Sequence, residues 1–409
     1  MREVLQNRSF RGYLSGLVLS QIGTRGAATA SLYQVYELTG SLSLTGLVGA
    51  AGGAAVLVLS PIGGALADRT DRKRLLQRAQ SVGGLVALTL AVLTFSGEVE
   101  AWHVVVAAFL SMGATAFDSP TRNALIGSLV PRHQLPQAFA LVNPAREVAV
   151  LVGPGLAGLL IALGGPGAVH ALDAATYAAM IAILFFVHAP DEHRDRSDAP
   201  VLRSILQGAA YVRGRPIIVL MMSLDLSAMM FGAYRVLLPA LALDVLHVGP
   251  TGYGLLASAP SAGALLASYG IVTMLGRSRR LGRLLLAATG AFALADVVLA
   301  QSRWLAVSLV AALCLGAADA LATSIRHATV LTETPDELRG RVSSIYQISS
   351  RGGPALGDGI VGGLAGALGP ATALTLGAGV TLTYVTALLA RPNRVRSYLR
   401  PDRDAVATG

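Results

Sequence analysis

Twelve apolar stretches alternate with short polar connections along this chain of 409 residues. A helix needs about 20 predominantly apolar residues to cross the hydrocarbon core of a bilayer, and each stretch is long enough. The predicted spans are 12–37, 44–67, 75–96, 103–129, 138–163, 168–188, 216–244, 252–275, 283–301, 304–330, 343–368 and 371–390. The pattern predicts an all-α membrane protein with twelve transmembrane helices.

Basic residues are concentrated in the connections that would lie on one side of the membrane. Those connections hold Arg2, Arg8, Arg11, the 69–78 cluster, Arg132, Arg194, Arg196, Arg203, Arg213, Arg215, the 277–283 cluster, Arg339, Arg341, Arg391, Arg394, Arg396, Arg400 and Arg403. The opposite connections hold only Arg303. Because short cytoplasmic loops carry the excess of Arg and Lys, we expect both chain ends in the cytoplasm of a multi-pass protein of a bacterial inner membrane.

Composition excludes several other classes of protein. With 53% hydrophobic and 13% charged residues and a mean hydropathy of +0.60, the chain is too apolar for a soluble globular protein. The net charge of +9 does not indicate nucleic-acid binding, because the basic residues fall in short loops where topology explains them. We expect a small-molecule substrate and the lipid bilayer as partners, with no nucleic acid, and a monomeric state.

No pattern of a soluble-type catalytic centre is present. The sequence has no phosphate-binding G-x-x-x-x-G-K-[ST] loop, no H-E-x-x-H and no G-x-S-x-G, and Cys314 stands alone in an apolar run. We therefore expect no enzyme, no cofactor and no metal site. Energy must come from an ion gradient, from the gradient of the substrate itself or from a separate partner chain.

The two halves of the chain echo each other around one long polar connection. That connection predicts a linker over 189–215, with an amphipathic helix at 201–212. It separates two six-helix bundles, 1–188 and 216–390, and a cytoplasmic tail follows at 391–409. Gly113, Arg122 and Pro131 recur as Gly316, Arg326 and Pro335, at separations of 203, 204 and 204 residues. This repeat predicts two pseudo-symmetric bundles around a central cavity.

A charged turn joins the second and third predicted spans. Its motif residues are Gly64, Asp68, Arg69, Arg72 and Lys73. Glycine allows close helix packing, and a carboxylate at a helix end can pair with a basic side chain or a helix N-terminus, which would make a breakable latch. The spacing resembles the G-x-x-x-D-R-x-x-R-K signature of the major facilitator superfamily, with Asp71 where the usual pattern has Gly. An ordinary basic anchor loop is the alternative.

Placing an ionisable side chain inside a membrane span costs free energy, so such residues are usually functional. Asp118 and Arg122 are spaced i,i+4, so they can pair on one helical face, and a proton on Asp118 would release Arg122. A static packing bridge is the alternative. The deeper candidates for carrying the coupling proton are Asp225, Asp319 and Asp358, and Arg326 repeats Arg122 in the second half. Asp173 and Asp296 are weaker candidates. The alternative is that they simply bond to neighbouring backbone or hydroxyl groups.

Further residues are candidates for the substrate cavity, namely Gln21, Arg25, Tyr33 and Arg235. Arginine stays charged, so an arginine in a cavity without a carboxylate partner favours binding of an anionic or acyl-rich substrate. The alternative is that Arg25 and Arg235 pair with Asp225 or Asp358 and hold helices together.

Gly153, Pro154 and Gly158 combine a helix kink with a face of small residues in the fifth span. They resemble the G-P-x-x-x-G core found on helix 5 of major facilitator exporters. The upstream glycines of that motif are replaced here by 149–152, so the match is partial. Small-residue packing without directional meaning is the alternative.

Over essentially its whole length the chain resembles a twelve-helix major facilitator. The segments 66–69, 72–73, 234–242, 334–335 and 340–342 are similar to the enterobactin-exporter branch of the drug:proton antiporters. That resemblance implies proton-driven export of a siderophore-like or drug-like molecule by alternating access, in a group that includes multidrug exporters. An importer or uniporter of a sugar or organic anion is one alternative. A second alternative is a membrane-embedded enzyme or a receptor that has kept a transporter scaffold.

Overall fold

The computed structural model describes residues 2–187 and 201–399, in which helices are the only regular secondary structure. The long helices are α1 (Arg8–Thr39), α2 (Leu42–Arg69), α3 (Arg72–Ser96), α4 (Ala101–Leu129), α5 and α6 (together Leu135–Phe186), α7 (Pro216–Phe231), α8 (Gly249–Arg277), α9 (Leu281–Gln301), α10 (Leu305–Thr332), α11 (Arg339–Leu368) and α12 (Pro370–Ala390). Short helices lie at Arg2–Gln6 and Val201–Arg213, the latter called the linker helix below. The predicted all-α class is confirmed.

Two glycines divide the longest helix into α5 and α6. Gly164 and Gly165 leave the helical conformation, and Gly165 has a φ of 72°, which an L side chain rarely adopts. By length and hydropathy alone, eight helices of the described chain qualify as membrane spans, or nine with the bent α8. The count of nine treats α5 and α6 as one span and omits the more polar α1 and α11. Counting α6 separately and adding α1 and α11 gives the predicted twelve.

Helix ends follow from capping residues that the sequence supplies. Asn7 and Ser41 accept hydrogen bonds from the backbone at the starts of α1 and α2. Asp71 does the same for α3, accepting from the N–H groups of Lys73 at 2.8 Å and Arg74 at 3.1 Å. The residue that departs from the family signature is therefore the N-cap of α3.

After Phe231 the seventh span loses its regular α-helical form. Gly232 and Ala233 interrupt it, and a 3₁₀ turn (Tyr234–Leu237), one α turn (Leu238–Ala240) and a π turn (Leu241–Val245) follow. The sequence predicts one uninterrupted span over 216–244, so this break is a correction. Hydropathy detects only an apolar run of sufficient length, and it does not detect where the backbone leaves the helix.

The chain divides into two compact units. The first comprises Met1–Val201 and Arg235–Ser258, and the second comprises Leu202–Tyr234 and Ala259–Gly409. The sequence predicts residues 235–258 within the second bundle, whereas they group with the first unit. The change from one unit to the other falls three residues after Gly232 in the seventh span and just before Pro260 in α8.

Each unit has its own apolar core. Phe10, Leu17, Leu76, Ile126 and Met180 are fully buried in the first. Ile218, Met221, Leu224, Leu285 and Ile325 are fully buried in the second. Large apolar side chains such as Phe186 and Trp304 are mostly exposed. That exposure suits helices whose outer faces contact lipid rather than water.

The linker helix and the start of the C-terminal tail pack on the second unit. Tyr211 of the linker helix donates to the carbonyl oxygen of Glu333 at 2.8 Å. In the tail, Val395 is fully buried, and Tyr398 accepts at its carbonyl oxygen from the N–H of Gly282 at 3.2 Å. Burial and the nearby Glu333 carboxylate raise the pKa of Tyr398 to about 12. Residues 391–399 are therefore a packed part of the unit.

Candidate functional site

The turn between α2 and α3 is anchored inside the first unit. Arg72 donates from Nη1 to the carbonyl oxygen of Ala124 at 3.2 Å and to Ser128 Oγ at 3.1 Å. Lys73 donates to the carbonyl oxygen of Val187 at 2.9 Å. These contacts tie the start of α3 to α4 and to the end of α6. The placement of Gly64 and of the side chains of Asp68 and Arg69 lies outside what the structure describes, so the Asp68 latch stays a prediction.

A closed ring of four polar side chains is buried between α1, α3 and α4. Arg122 donates from Nε to Asp118 at 2.5 Å, and Gln80 donates to the other oxygen of Asp118 at 2.7 Å. Ser20 donates to Gln80 at 3.2 Å and accepts from Arg122 Nη2 at 3.1 Å. The predicted i,i+4 pair thus forms, and both of its side chains are more than nine-tenths buried.

One guanidinium nitrogen of this ring remains without a hydrogen bond. Arg122 Nη1 is buried and has no partner among the described residues. A cavity of about 10 Å³ adjoins the ring and is lined by Ser20, Gln21, Thr24, Ala79, Gln80, Ala114, Thr115, Asp118, Arg122 and Tyr177. That volume is close to what one water molecule needs. Gln21, a predicted cavity residue, therefore lies beside the ion pair.

The second unit contains its own buried Asp–Arg cluster. Arg326 of α10 lies with Nη2 2.7 Å from Asp225 of α7 and 3.6 Å from Asp319, and it donates to Thr323 at 2.8 Å. Thr323 in turn donates to Asp319 at 3.3 Å. The side chains of Arg326 and Asp225 are 2% and 3% exposed, whereas that of Asp319 is 43% exposed. Three of the predicted coupling residues therefore meet at one place.

The two carboxylates of this cluster have different access to solvent. Asp225 is enclosed and depends on Arg326 for charge balance. Asp319 is half-exposed, so its carboxylate is accessible without any change in the buried pair. Asp358 of α11 is also buried, but Asp225 and Asp319 are the carboxylates that hold Arg326 in the described structure.

The predicted substrate residues have contrasting positions. Arg25 of α1 and Arg235 of the seventh span are exposed. Tyr33 is buried, with its ring centroid 5.5 Å from that of Tyr253 in the same unit. Tyr253 donates to the carbonyl oxygen of Thr29 at 2.8 Å, which holds the start of α8 against α1.

The helix 5 motif produces close backbone contacts within the first unit. A methyl group on Gly153 would lie 2.7 Å from Arg25 Cβ and 3.1 Å from the backbone nitrogen of Gly26 in α1. A methyl group on Gly158 would lie 2.6 Å from the carbonyl oxygen of Pro250 and 2.7 Å from Gly254 Cα in α8. Glycine at these positions lets α5 approach both helices.

Sequence reasoning missed several residues of these networks. Gln80 is a polar residue inside the apolar run of α3, and its position there could have indicated a buried hydrogen-bonding role. Ser20 carried no signal, because serine is common in membrane helices. Asp244 was also missed, although it accepts a hydrogen bond from Tyr36 in the first unit.

The model of a family described as transmembrane secretion effector matches residues 4–404. This chain belongs to that family. It is a multi-pass membrane transporter of the major facilitator superfamily, and it is not an enzyme. The predicted membership of that superfamily is confirmed.

Curated relatives of this transporter include enterobactin exporters. Enterobactin exporter EntS of Citrobacter koseri is 28% identical over 391 residues, which cover 93% of this chain and 91% of the relative. Enterobactin exporter EntS of Shigella boydii serotype 4 is 27% identical with the same coverage. The predicted resemblance to this branch is confirmed.

Solved transporter structures share the fold at low sequence identity. The nucleoside transporter NupG has a TM-score of 0.74 at 14% identity, covering 94% of this transporter and 98% of NupG. A D-xylose–proton symporter has a TM-score of 0.71 at 13% identity, covering 97% and 98%. These structures establish the major facilitator fold.

Proposed function

We propose that this transporter exports a siderophore-like or drug-like small molecule from the cytoplasm, driven by proton entry. The names of the EntS relatives support export and a siderophore-like substrate. The buried ring of Asp118, Arg122, Gln80 and Ser20 carries the proposal of proton coupling.

The ring links the charge of one carboxyl group to the packing of three helices. With Asp118 ionised, its oxygens accept from Arg122 and from Gln80, so α3 and α4 are held together. A proton on Asp118 removes the ion pair and one acceptor. Arg122 then needs another partner for its buried charge, because an unpaired buried cation is costly. Water entering the adjoining cavity, or an anionic substrate, would supply that partner.

The second unit supplies a half-exposed carboxylate next to a buried ion pair. Asp319 is 3.6 Å from the same nitrogen of Arg326 that pairs with Asp225. Protonation of Asp319 from water would leave Asp225 as the single anionic partner of Arg326 in this cluster. A proton on Asp225 instead would separate α7 from α10. These steps connect proton binding to helix movement without any cofactor.

Positive charge within the membrane spans favours an anionic or acyl-rich substrate. Arg25 and Arg235 are exposed cations on α1 and the seventh span, and arginine stays charged at all relevant pH values. A bidentate guanidinium contact suits carboxylate or phenolate-type oxygen atoms. We assign these two residues, with Gln21 and Tyr33, to substrate contact.

The proposed cycle is alternating access, with both chain ends in the cytoplasm of a bacterial inner membrane and the protein acting as a monomer. The strong bias of Arg towards one set of connections supports that orientation. The turn at 64–73 acts as the cytoplasmic gate, with Asp68 as its latch. The Gly153–Gly158 face of α5 supplies the close helix contact that such movement requires.

Transport by oriented membrane vesicles tests the direction. In everted vesicles the cytoplasmic face is outside, so an exporter accumulates labelled enterobactin when the vesicle interior is acidified. Accumulation that collapses when a protonophore is added supports proton-coupled export. Accumulation only in right-side-out vesicles would show an importer and overturn the proposal.

A further inference from the structure

Asp296 of α9 is fully buried, and neither of its carboxyl oxygens has a hydrogen-bond partner among the described residues. Removing a carboxylate from water without a partner is very unfavourable, whereas a neutral carboxyl group is tolerated far better. The burial therefore requires that this side chain hold a proton. Nothing in the proton pathway proposed above uses it.

The carboxyl group lies against the place where α7 stops. A methyl group on Gly232 would lie 2.6 Å from Asp296 Oδ2 and 2.7 Å from Phe292 of the same helix. Gly232 donates the last α-helical hydrogen bond of α7, to the carbonyl oxygen of Ala228 at 2.9 Å. Asp296 thus contacts the first residue of the break.

Two other helices enclose the last turn of α7. A methyl group on Gly357 of α11 would overlap the carbonyl oxygen of Met229, and one on Gly377 of α12 would overlap that of Phe231. The last carbonyl groups of α7 therefore face neighbouring backbones. The break is packed by α9, α11 and α12 together, so any movement of α7 there changes the surroundings of Asp296.

The titratable groups on the helices packed against α9 either lie near the break, form contacts of their own or are exposed. Tyr234 reaches the region, with its ring centroid 6.5 Å from that of Phe292, and the exposed Arg235 follows it. The remaining groups are Asp225, Asp319 and Arg326 in their own cluster, Tyr384 bonded to Ser223, His327 edge-on to Tyr346, and the exposed Cys314.

We propose that Asp296 is a proton-binding site that stays neutral while α7 is broken at Gly232 and releases its proton to water only when this part of α7 moves. The residue lies five positions before the Gln301 end of α9, roughly 8 Å along the axis. That end is the nearer of the two ends of α9. Its use in coupling rests on the proton-driven export proposed above, but its protonation does not.

Infrared difference spectroscopy of the purified transporter without substrate tests the protonation directly. The variant Asp296→Asn removes the carboxyl group and keeps a similar shape. We expect the spectrum of the native chain minus that of Asp296→Asn to contain a carboxylic-acid carbonyl band at neutral pH, where an exposed aspartate is ionised since its pKa is about 3.9. Asp336→Asn is the matched control, because the Asp336 side chain is 80% exposed.

Two results would overturn the assignment. One is the absence of the acid band in the Asp296 difference spectrum, and the other is loss of the same band in Asp336→Asn. If Asp296→Asn does not fold, Asp296→Glu keeps the acid and moves it by one methylene. The acid band must then shift, and an unshifted band contradicts the assignment.

A change in α7 tests the link to the break. Gly232→Ala forces a methyl group against Asp296 Oδ2, so we expect the acid band to shift or to disappear at a lower pH. Gly290→Ala in α9 is the control, because its methyl group would meet only Val385 at 3.7 Å. An acid band that is identical in Gly232→Ala and the native chain shows that Asp296 does not respond to α7. Because no substrate is present, these results stand apart from the outcome of the export test.

Discussion

Arg326 in α10 lies with Nη2 2.7 Å from Asp225 in α7, and the two side chains are almost completely buried. Arg122 occupies the equivalent position of the first half, 204 residues earlier, yet its carboxylate partner is one turn away on its own helix. The repeat has thus kept the arginine and changed the origin of its partner. In one half the ion pair fastens two helices directly, and in the other neighbouring helices join through Gln80 and Ser20.

The Asp225–Arg326 pair should dominate the stability of the second unit. Arg326→Gln leaves a buried carboxylate without its cation, so we expect the free energy of unfolding to fall by about 3–5 kcal/mol. The double variant Asp225→Asn/Arg326→Gln should recover more than half of that loss. Denaturant unfolding in detergent measures both values.

The exposed pair Arg339–Asp336 provides the control for that measurement. Its side chains are 51% and 80% exposed, so Arg339→Gln should leave the free energy of unfolding unchanged within error. A double variant as unstable as Arg326→Gln alone would contradict the assignment of a buried ion pair.

Asp118→Asn should separate substrate movement from proton movement. Asparagine keeps the shape but cannot ionise, so export driven by a pH gradient should fall at least about tenfold, equivalent to about 1.4 kcal/mol. Exchange of labelled for unlabelled substrate at equal pH should persist, because it needs no net proton transfer. Loss of exchange and driven export together in a folded Asp118→Asn protein would show that the ring serves packing only.

The contact of α5 with α8 should tolerate no side chain at Gly158. Gly158→Ala places a methyl group 2.6 Å from the carbonyl oxygen of Pro250, and overpacking of this kind costs about 1–3 kcal/mol. We expect a lower melting temperature and slower transport. Gly127→Ala in α4 is the matched control, because no atom lies within 4 Å of the added methyl group. Equal effects of the two substitutions would remove the special role of the α5 contact.

The start of the tail should depend on Gly282. A methyl group there would overlap the carbonyl oxygen of Val395, so Gly282→Ala should displace residues 391–399 and speed cleavage by trypsin after Arg394 and Arg396. Gly290→Ala, on the same helix, should leave the digestion rate unchanged, because its methyl group would make only an ordinary contact with Val385 at 3.7 Å. An unchanged digestion rate in Gly282→Ala would show that the tail is held by other contacts.

Helix number and bounds were largely predictable because hydropathy reports them directly. The predicted 283–301 corresponds to Leu281–Gln301, and 371–390 to Pro370–Ala390. The linker helix was predictable for a related reason, since the apolar residues of 201–213 recur at helical spacing in the sequence. The break after Phe231 was not predictable, because packing by Asp296, Gly357 and Gly377 surrounds it and none of these is near it in sequence.

The candidate site was predictable only where its residues are close in sequence. The i,i+4 spacing correctly indicated the pair Asp118–Arg122. Asp225 and Arg326 were each identified as intramembrane charges, but their pairing joins helices 101 residues apart, which spacing cannot reveal. Gln80 and Ser20 were missed because an uncharged polar residue stands out little from an apolar run.

Proton movement that depends on substrate tests the central claim most directly. The purified transporter would be placed in liposomes with an internal pH dye and an imposed pH gradient, and siderophores including enterobactin, macrolides and cationic dyes would be added in turn. We expect at least one compound to dissipate the gradient, and Asp118→Asn to abolish this effect. Equilibration of a labelled compound across the membrane without any proton movement would identify a uniporter and contradict the account.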